Sequence, residues 1–345
     1  MKYASGRLLK DVMRAALLAR GVCPESTEHV VESLVQTSLR GVDSHGIQLF
    51  PHYCRAVDAG RINRRPSFSF DQAAPGAAIL DADHAFGHHA GAVAMDHAVA
   101  RAKEVGIAAV GGKNSTHFGA AAYFGLRAAA GGCLGFAFTN ADALMKAHGA
   151  RDAFIGTNPV CFTAPMEGEE PFCLDMATSL VTWNKVVMFR RLDQPIPGHW
   201  ACGADGAPVR DAHAARTLQP AGEHKGYGMG MAVDILCSLL SGGPIGRDLL
   251  PMYESLHAQR LIGHFFMALD IRRFCPVGDF ARRLTEMAER ARHLVPVDPG
   301  VPVMVAGDPE KKAWTERTRE GIPVDDLLFG ELLQVSPEFA RSLVA

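Results

Sequence analysis

The amino-acid sequence predicts an α/β protein, with an α/β middle region and helical end segments that pack together. Two observations support this fold class. Apolar residues recur at helical spacing near both chain ends, whereas short apolar runs alternate with helical stretches between them. We therefore divide the chain into residues 1–75, 76–295 and 296–345, and expect the first and last of these to form one helical domain.

Most elements are predicted from apolar spacing and from the residues that begin or end them. The first helix shows both signals, because Ser5 can cap its start and Gly21 ends it. The predicted helices span residues 5–20, 24–40, 47–60, 89–104, 118–130, 225–240 and 280–294. The predicted strands span residues 77–80, 107–110, 134–139, 160–163, 172–174 and 265–269. Residues 61–66 are predicted to be a linker.

Composition argues against several classes of partner. The 345 residues are 48% hydrophobic and 21% charged, which is the balance of a globular chain with a sizeable core. The formal net charge of -2 does not indicate a nucleic-acid or membrane partner, and no apolar run reaches the length of a membrane span. The cysteines form no Cys-x-x-Cys pair, and the N-terminus lacks the apolar core of a signal peptide. We therefore expect reduced cysteines and a cytoplasmic protein.

Two histidines stand in glycine-flanked turns that suit proton transfer. In Ser44-His45-Gly46, the hydroxyl can orient His45 and the glycine permits close approach of a substrate. Within residues 114–119, His117 lies at a strand-to-helix turn, where the free N–H groups of the helix start favour a phosphate. The alternatives are a solvated loop histidine at the first turn and simple helix capping at the second.

Three further turns combine glycine with polar or charged residues. Residues 156–159 and 175–179 lie at predicted strand ends, where α/β proteins place ligands. Lys225 lies at a predicted helix start, which is unfavourable for a cation unless an anion binds there. The glycines that follow it, beginning with Gly226, cost helix stability and require either close packing or a ligand.

Patterns for other cofactor sites are absent from the sequence. No Gly-x-Gly-x-x-Gly turn follows a predicted strand, and residues 225–230 have the wrong spacing for one. His84 and His88 would share a helical face, but no carboxylate or cysteine joins them at useful spacing. We therefore expect no metal and interpret both histidines as polar, partly exposed residues of a helix start.

As an ordered set, these segments resemble the malate/L-lactate dehydrogenase family of NAD(P)-dependent oxidoreductases, whose members lack a Rossmann domain. The resemblance runs over nearly the whole chain. The stretch from residue 246 to residue 257 looks closest to the ureidoglycolate dehydrogenase branch. The matching segments are residues 44–46, 116–119, 156–159, 175–178, 225–228, 263–266 and 307–310.

The resemblance implies a mixed-sheet cofactor domain that binds NAD or NADP, and a helical domain built from both chain ends. It also implies a homodimer that moves hydride between nicotinamide and a carbonyl, alcohol or imine carbon of a small-molecule substrate. Carried over by position, His45 or His117 moves the proton, and Ser44 orients His45. The implied cofactor contacts are His117, Phe118, Gly119, Ala120, Asp175, Met176, Ala177, Lys185, Lys225, Gly226, Gly307 and Asp308.

The substrate side departs from the family pattern. Leu49 replaces an arginine that would anchor a carboxylate, and Ala141 replaces a serine of the ureidoglycolate dehydrogenases. Asp142, Lys146 and His148 follow in the same segment, and the last two are candidates for a substitute anchor. We therefore expect a substrate other than a simple 2-oxo acid. The alternatives are a 2-hydroxy-acid dehydrogenase of the ureidoglycolate type and a binding paralogue without catalytic activity.

Overall fold

A computed structural model describes residues 2–343. Its α-helices are α1 (Gly6–Ala19), α2 (Pro24–Leu39), α3 (Phe50–Asp58), α4 (Gly87–Val105), α5 (Ala122–Ala130), α6 (Trp183–Arg191), α7 (His224–Asp234), α8 (Val277–Arg292), α9 (Asp308–Glu320) and α10 (Asp326–Val335). Its strands are β1 (Lys2–Ala4), β2 (Ser69–Ala74), β3 (Ala77–Asp81), β4 (Ile107–Ser115), β5 (Cys133–Thr139), β6 (Met145–Lys146), β7 (Ala153–Ile155), β8 (Val160–Ala164), β9 (Phe172–Met176), β10 (Ala201–Cys202), β11 (Pro208–Val209), β12 (Thr217–Leu218), β13 (Ile262–Asp270) and β14 (Ile322–Val324).

The largest sheet has seven strands in the order β2-β3-β4-β13-β5-β8-β9. Strands β3 and β4 pair in parallel, whereas the other neighbouring pairs of this sheet are antiparallel. A Rossmann sheet is mostly parallel, so the mixed pairing confirms the predicted non-Rossmann α/β class. A five-stranded sheet, β11-β10-β12-β6-β7, and the antiparallel pair β1-β14 complete the β structure of the described chain.

The apolar side chains are buried in three cores. The first joins α1, α2 and α3 to β14 and α10, so helices from both chain ends share one core. The second packs α4 and α5 against the large sheet. The third lies between α6 and the five-stranded sheet. The boundaries drawn at residues 75 and 295 stay a prediction. Within residues 2–343, no helix is long and apolar enough to span a membrane.

Some element boundaries differ from those predicted. The strand predicted over residues 107–110 continues to Ser115, which brings the chain directly to His117. The helix predicted over residues 118–130 begins only at Ala122, because the backbone at Gly119 has a φ of 78°, outside the helical region. The helix predicted over 225–240 is α7 followed by a π-helical turn. Helix α9 was not predicted because it is polar and buries no residue, so it shows no apolar spacing.

Candidate active site

His45 lies in a 3-10 turn between α2 and α3 and is half-buried. Its Nδ1 lies 3.0 Å from the Oγ of Ser44. Two contacts hold the turn: the Nδ2 of Asn184 donates to the Ser44 carbonyl at 3.1 Å, and Arg317 forms an ion pair with Asp43 at 2.6 Å. Burial lowers the pKa of His45 to about 4, so its ring is neutral at neutral pH.

His117 follows β4 and stacks on His45, with ring centroids 5.7 Å apart and an interplanar angle of 22°. Its Nδ1 lies 2.6 Å from the hydroxyl of Tyr53 and accepts a hydrogen bond from the Gly119 N–H at 3.3 Å. A backbone N–H can only donate, so we assign the ring proton to Nε2. Burial lowers the pKa of His117 well below its ordinary value, and the nearby positive charge of Arg260 acts in the same direction.

The start of α5 does not offer the free anion site that the sequence predicts. The Ala122 N–H donates to the Oδ2 of Asp175 at 2.7 Å. A carboxylate there satisfies an otherwise unpaired N–H and interacts favourably with the helix dipole. Desolvation by the surrounding cleft raises the pKa of Asp175 to about 6 against the effect of this hydrogen bond, although part of the side chain is exposed to solvent. The protein's own carboxylate therefore occupies the position predicted for a phosphate.

A cavity of about 460 Å³ extends from His45 to the turn before α9. Its walls come from α2, the His45 turn, the start of α5, β9 and residues 304–310. The sequence-predicted site residues that line it are Ser44, His45, Gly119, Ala120, Asp175, Ala177 and Gly307. The fold thus brings together short motifs that are far apart in the sequence.

The polar groups of this cavity fit a dinucleotide. Arg40 lines one wall, and its guanidinium pairs with Glu170 at 2.7 Å. The Nε of Arg40 is buried and has no hydrogen-bond partner among residues 2–343, which leaves a donor that suits a phosphate oxygen. The carboxylates of Asp175 and Glu310 line the same cavity and can accept hydrogen bonds from ribose hydroxyls.

Two predicted cofactor residues have other partners. Phe118 is fully buried and stacks on His264, with ring centroids 4.9 Å apart. The carboxylate of Asp308 accepts hydrogen bonds from Arg292 at 2.6 and 2.9 Å. Phe118 is therefore committed to core packing, and Asp308 is committed to an ion pair. Only the backbone groups of these two residues remain available to a ligand.

Five more predicted cofactor residues lie outside the lining of the cavity, and one of them is His117, which stacks on His45. Gly226 packs against the carbonyl of Ala221, so close backbone packing accounts for this glycine. Met176 follows Asp175 at the end of β9 and is half-buried. The side chains of Lys185 and Lys225 are exposed near the starts of α6 and α7, respectively.

The predicted substrate residues are dispersed, and none of the five lines the cavity in the described part of the chain. Leu49 is 3% exposed and packs in the core of α1, α2 and α3. Asp142 forms a buried ion pair with Arg260. Leu49 therefore lies in apolar surroundings, and its place in the substrate pocket stays a prediction.

The other three substrate candidates lie toward the five-stranded sheet. The Ala141 N–H donates to the Oδ1 of Asn158 at 3.1 Å. Lys146 ends β6, and the ring of His148 lies 5.6 Å from that of His224 at the start of α7. His148 therefore lies beside the start of α7, and the roles of Lys146 and His148 as anchors stay predictions.

Sequence reasoning missed four polar residues around the histidines. Tyr53, on α3, contacts His117, and its position just after the Ser-His-Gly turn was the available signal. Arg260 is 3% exposed, and its Nε donates to the Leu250 carbonyl at 2.8 Å. The other two are Asn184 and Tyr253, whose hydroxyl donates to the Oδ1 of Asn184 at 2.8 Å. No motif marks these residues in a single sequence.

The histidines near α4 do not form a metal site. Among residues 2–343, no group of three or more His, Cys, Asp or Glu side chains could hold a metal ion. His88 was expected to be partly exposed but is fully buried, because α4 begins at Gly87 and turns this side chain toward the core. Burial lowers the pKa of His88 to about 3.

Known proteins share this fold and sequence pattern. A family model described as malate/L-lactate dehydrogenase matches residues 5–333. The ureidoglycolate dehydrogenase (NAD(+)) of Escherichia coli O157:H7 is 33% identical over 329 residues, which cover 95% of this chain and 94% of that protein. The (2R)-3-sulfolactate dehydrogenase (NADP(+)) of Chromohalobacter salexigens is 31% identical over 263 residues, or 75% and 78% of the two chains. The solved malate dehydrogenase of Entamoeba histolytica has a TM-score of 0.93 at 28% identity, with 98% of both chains covered.

Proposed function

Because this chain belongs to the malate/L-lactate dehydrogenase family, it is an NAD(P)-dependent oxidoreductase, and we propose that His45 and His117 form its proton-transferring pair. The observation that carries the proposal is the stacking of neutral His117 on neutral His45, which itself lines the end of a cavity that fits a dinucleotide. When bound, the nicotinamide ring supplies or accepts the hydride. The chain's own residues supply the proton and orient the substrate.

His45 is the group that moves the proton. Its Nδ1 faces the hydroxyl of Ser44, and a hydroxyl can donate to an unprotonated nitrogen or accept from a protonated one. With its proton on Nδ1 and donated to the Ser44 Oγ, neutral His45 leaves Nε2 free and keeps this hydrogen bond when Nε2 gains a second proton. In the oxidation direction, the Nε2 of neutral His45 accepts the proton of the substrate hydroxyl.

His117 orients the substrate oxygen. Its Nδ1 accepts the N–H of Gly119, and this donor cannot reverse its role. Protonation of Nδ1 would set two N–H groups against each other, so His117 stays neutral. Its Nε2–H then donates to the substrate oxygen and stabilises the charge that develops there.

The cofactor lies along the cavity in this proposal. Arg40 donates to a phosphate, and Asp175 or Glu310 accepts from a ribose hydroxyl. Lys225, exposed at the start of α7, contacts a phosphate at the outer end of the dinucleotide. Calorimetry with NADH and NADPH tests this placement: Lys225→Ala should weaken binding by about 1.5–3 kcal/mol, the usual value of a charge-assisted hydrogen bond.

A matched control sharpens that measurement. Lys312 lies within α9 rather than at a helix start, has 77% of its side chain exposed and faces Glu316 at 4.0 Å, so Lys312→Ala should leave the affinity unchanged. If neither dinucleotide binds at millimolar concentration, the cavity is not the cofactor site. Equal losses in the two lysine variants would mean that Lys225 acts only through the overall charge.

We propose that the substrate is a carbonyl, alcohol or imine without a carboxylate next to the reacting carbon. Arg40, on the cavity wall, pairs with Glu170 through one terminal nitrogen, and its remaining Nε donor is assigned to the cofactor phosphate. The guanidinium of Arg260, near His117, pairs with Asp142. Leaving a buried carboxylate without a partner is strongly unfavourable, so a simple 2-oxo acid is a poor match.

A 2-hydroxy acid is the second candidate, since the relative with 33% identity is named for ureidoglycolate and the relative with 31% identity is named for sulfolactate. The observation that favours it is the position of Arg260, whose charge is close enough to lower the pKa of His117. A substrate carboxylate would then have to compete with Asp142 for this guanidinium.

The change in nicotinamide absorbance distinguishes the two candidates. Purified protein is mixed with NADH or NADPH and a panel of uncharged ketones, cyclic imines, pyruvate and oxaloacetate. Efficient reduction of a small 2-oxo acid would contradict the first candidate and support the second. Dinucleotide binding without turnover of any member would point to a binding paralogue.

We propose that the chain acts as a cytoplasmic homodimer. Helix α7 and the turn after it expose Met231, Ile235 and Leu239 on one face, with exposed fractions of 40%, 48% and 61%. An apolar stripe of this kind is typical of a surface that a second copy covers. The free cysteines agree with a reducing compartment. Light scattering during gel filtration measures the mass, and a monomer at micromolar concentration would contradict the dimer.

A further inference from the structure

Arg61 lies in the segment between α3 and β2 that the sequence predicts to be a linker, yet it is 2% exposed. Its guanidinium donates to four backbone carbonyls of one loop. The Nε bonds to Ala258 at 3.0 Å, Nη1 bonds to Met252 at 2.7 Å, and Nη2 bonds to Ser255 at 2.9 Å and also to Glu254. One buried side chain therefore fixes the whole of this loop.

The loop between Leu249 and β13 needs such an anchor. It contains no helix or strand, and its residues Ser255 and Leu261 have φ angles of 48° and 56°, which are unfavourable for residues other than glycine. Burial lowers the pKa of Arg61 to about 10, so the guanidinium stays charged at neutral pH. Hydrogen bonds from a charged donor are stronger than those between neutral groups.

A chain of hydrogen bonds runs from this loop to His45. The hydroxyl of Tyr253, in the loop, donates to the Oδ1 of Asn184 at 2.8 Å. The Nδ2 of Asn184 donates to the carbonyl of Ser44 at 3.1 Å, and the Oγ of Ser44 lies 3.0 Å from the Nδ1 of His45. Asn184 is 8% exposed, so solvent cannot replace its two bonds readily.

We infer that Arg61 is a positioning residue for His45, which it holds in place through the 252–258 loop, Tyr253 and Asn184. The inference rests on the proposed role of His45 in proton transfer. A change at Arg61 releases the loop, and Tyr253 then loses its fixed position opposite Asn184. The turn that carries Ser44 and His45 loses one of its two supports as a result.

A double-mutant cycle tests whether Arg61 acts through Tyr253. Arg61→Lys keeps the charge but cannot reach four carbonyls, and Tyr253→Phe removes only the hydroxyl. Each should lower kcat by about 10- to 100-fold, the loss that misplacement of a catalytic group by about 1 Å produces. The double variant should be no slower than the slower single variant, and the dissociation constant of NADH or NADPH should not change.

Arg273→Lys is the matched control. Arg273, in the turn after β13, also donates to two backbone carbonyls, those of Lys103 and Glu104 at the end of α4, and does not line the cavity. The Arg273→Lys variant should leave kcat unchanged. If Arg61→Lys does not fold, Arg61→Met, which keeps the apolar stem, takes its place in the cycle. If the loss of kcat in the double variant equals the product of the two single losses, the inference is overturned.

NMR titration of the His45 ring provides a readout that does not depend on turnover. In Arg61→Lys and in Tyr253→Phe, the pKa of His45 should rise from about 4 toward its ordinary value, because a loosened turn admits water to the ring. Arg273→Lys should titrate like the unmodified protein. An unchanged His45 pKa in both test variants overturns the positioning role. If the unmodified protein shows no turnover, that result counts against the proposed function and not against the positioning role.

Discussion

The two stacked histidines differ in the partner of their Nδ1 atoms. His45 faces the hydroxyl of Ser44, which can donate or accept, and it lines the cavity. His117 faces the hydroxyl of Tyr53 and the N–H of Gly119, and the second of these can only donate. The difference teaches that two imidazoles of similar burial can have separate tasks, because one can gain a proton and the other is held neutral.

Replacing each histidine by glutamine should have the largest effect on turnover of the tests that separate the two roles. His45→Gln should lower turnover by about 10²- to 10⁴-fold, since glutamine cannot carry a proton. His117→Gln should cost only about tenfold, because the amide N–H can still donate to the substrate oxygen. Single-turnover absorbance changes measure both rates. Equal losses, or a larger loss at His117, would reverse the assignment.

The pH dependence of the reaction sharpens the same assignment. Burial places the pKa of His45 at about 4, so the protonated form that reduction requires falls tenfold per unit as pH rises above this value. The neutral form that oxidation requires is fully present at the same pH. Between pH 5 and pH 8, kcat/KM should therefore fall steeply for reduction and stay level for oxidation. A level profile for reduction would show that another group donates the proton.

The cofactor side of the site could be predicted from short motifs. Glycine-flanked turns with a polar residue at the end of an element mark places where a ligand approaches the backbone, and His45, Asp175 and Gly307 meet at one cavity. The error at the start of α5 has a simple cause. The sequence shows that a helix N-terminus is free to bind an anion, but it does not show that Asp175 reaches it first.

The substrate side could not be predicted as well, because it depends on which way each side chain points. Leu49 follows the Ser-His-Gly turn closely, yet one more turn of the chain directs it into the apolar core. Arg61 carries a charge in a segment that looks like a linker, and only the carbonyls of a loop distant in sequence make its burial favourable. Contacts between such distant segments leave no periodic signal in one sequence.

The two hydroxyls that face the Nδ1 atoms provide the most specific test of the comparison, with the smallest expected effect on turnover. Ser44→Ala and Tyr53→Phe each remove one hydrogen bond, worth about 0.5–1.5 kcal/mol, or roughly a 2- to 13-fold loss in turnover. Ser44→Ala should also move the midpoint of the pH profile, because the Ser44 hydroxyl accompanies His45 through its change of charge. Tyr53→Phe should lower the rate at every pH without moving the midpoint, because His117 keeps the Gly119 N–H and stays neutral. Stopped-flow rates across the pH range separate the two effects. A shifted midpoint in Tyr53→Phe with an unshifted one in Ser44→Ala would mean that His117, and not His45, carries the proton.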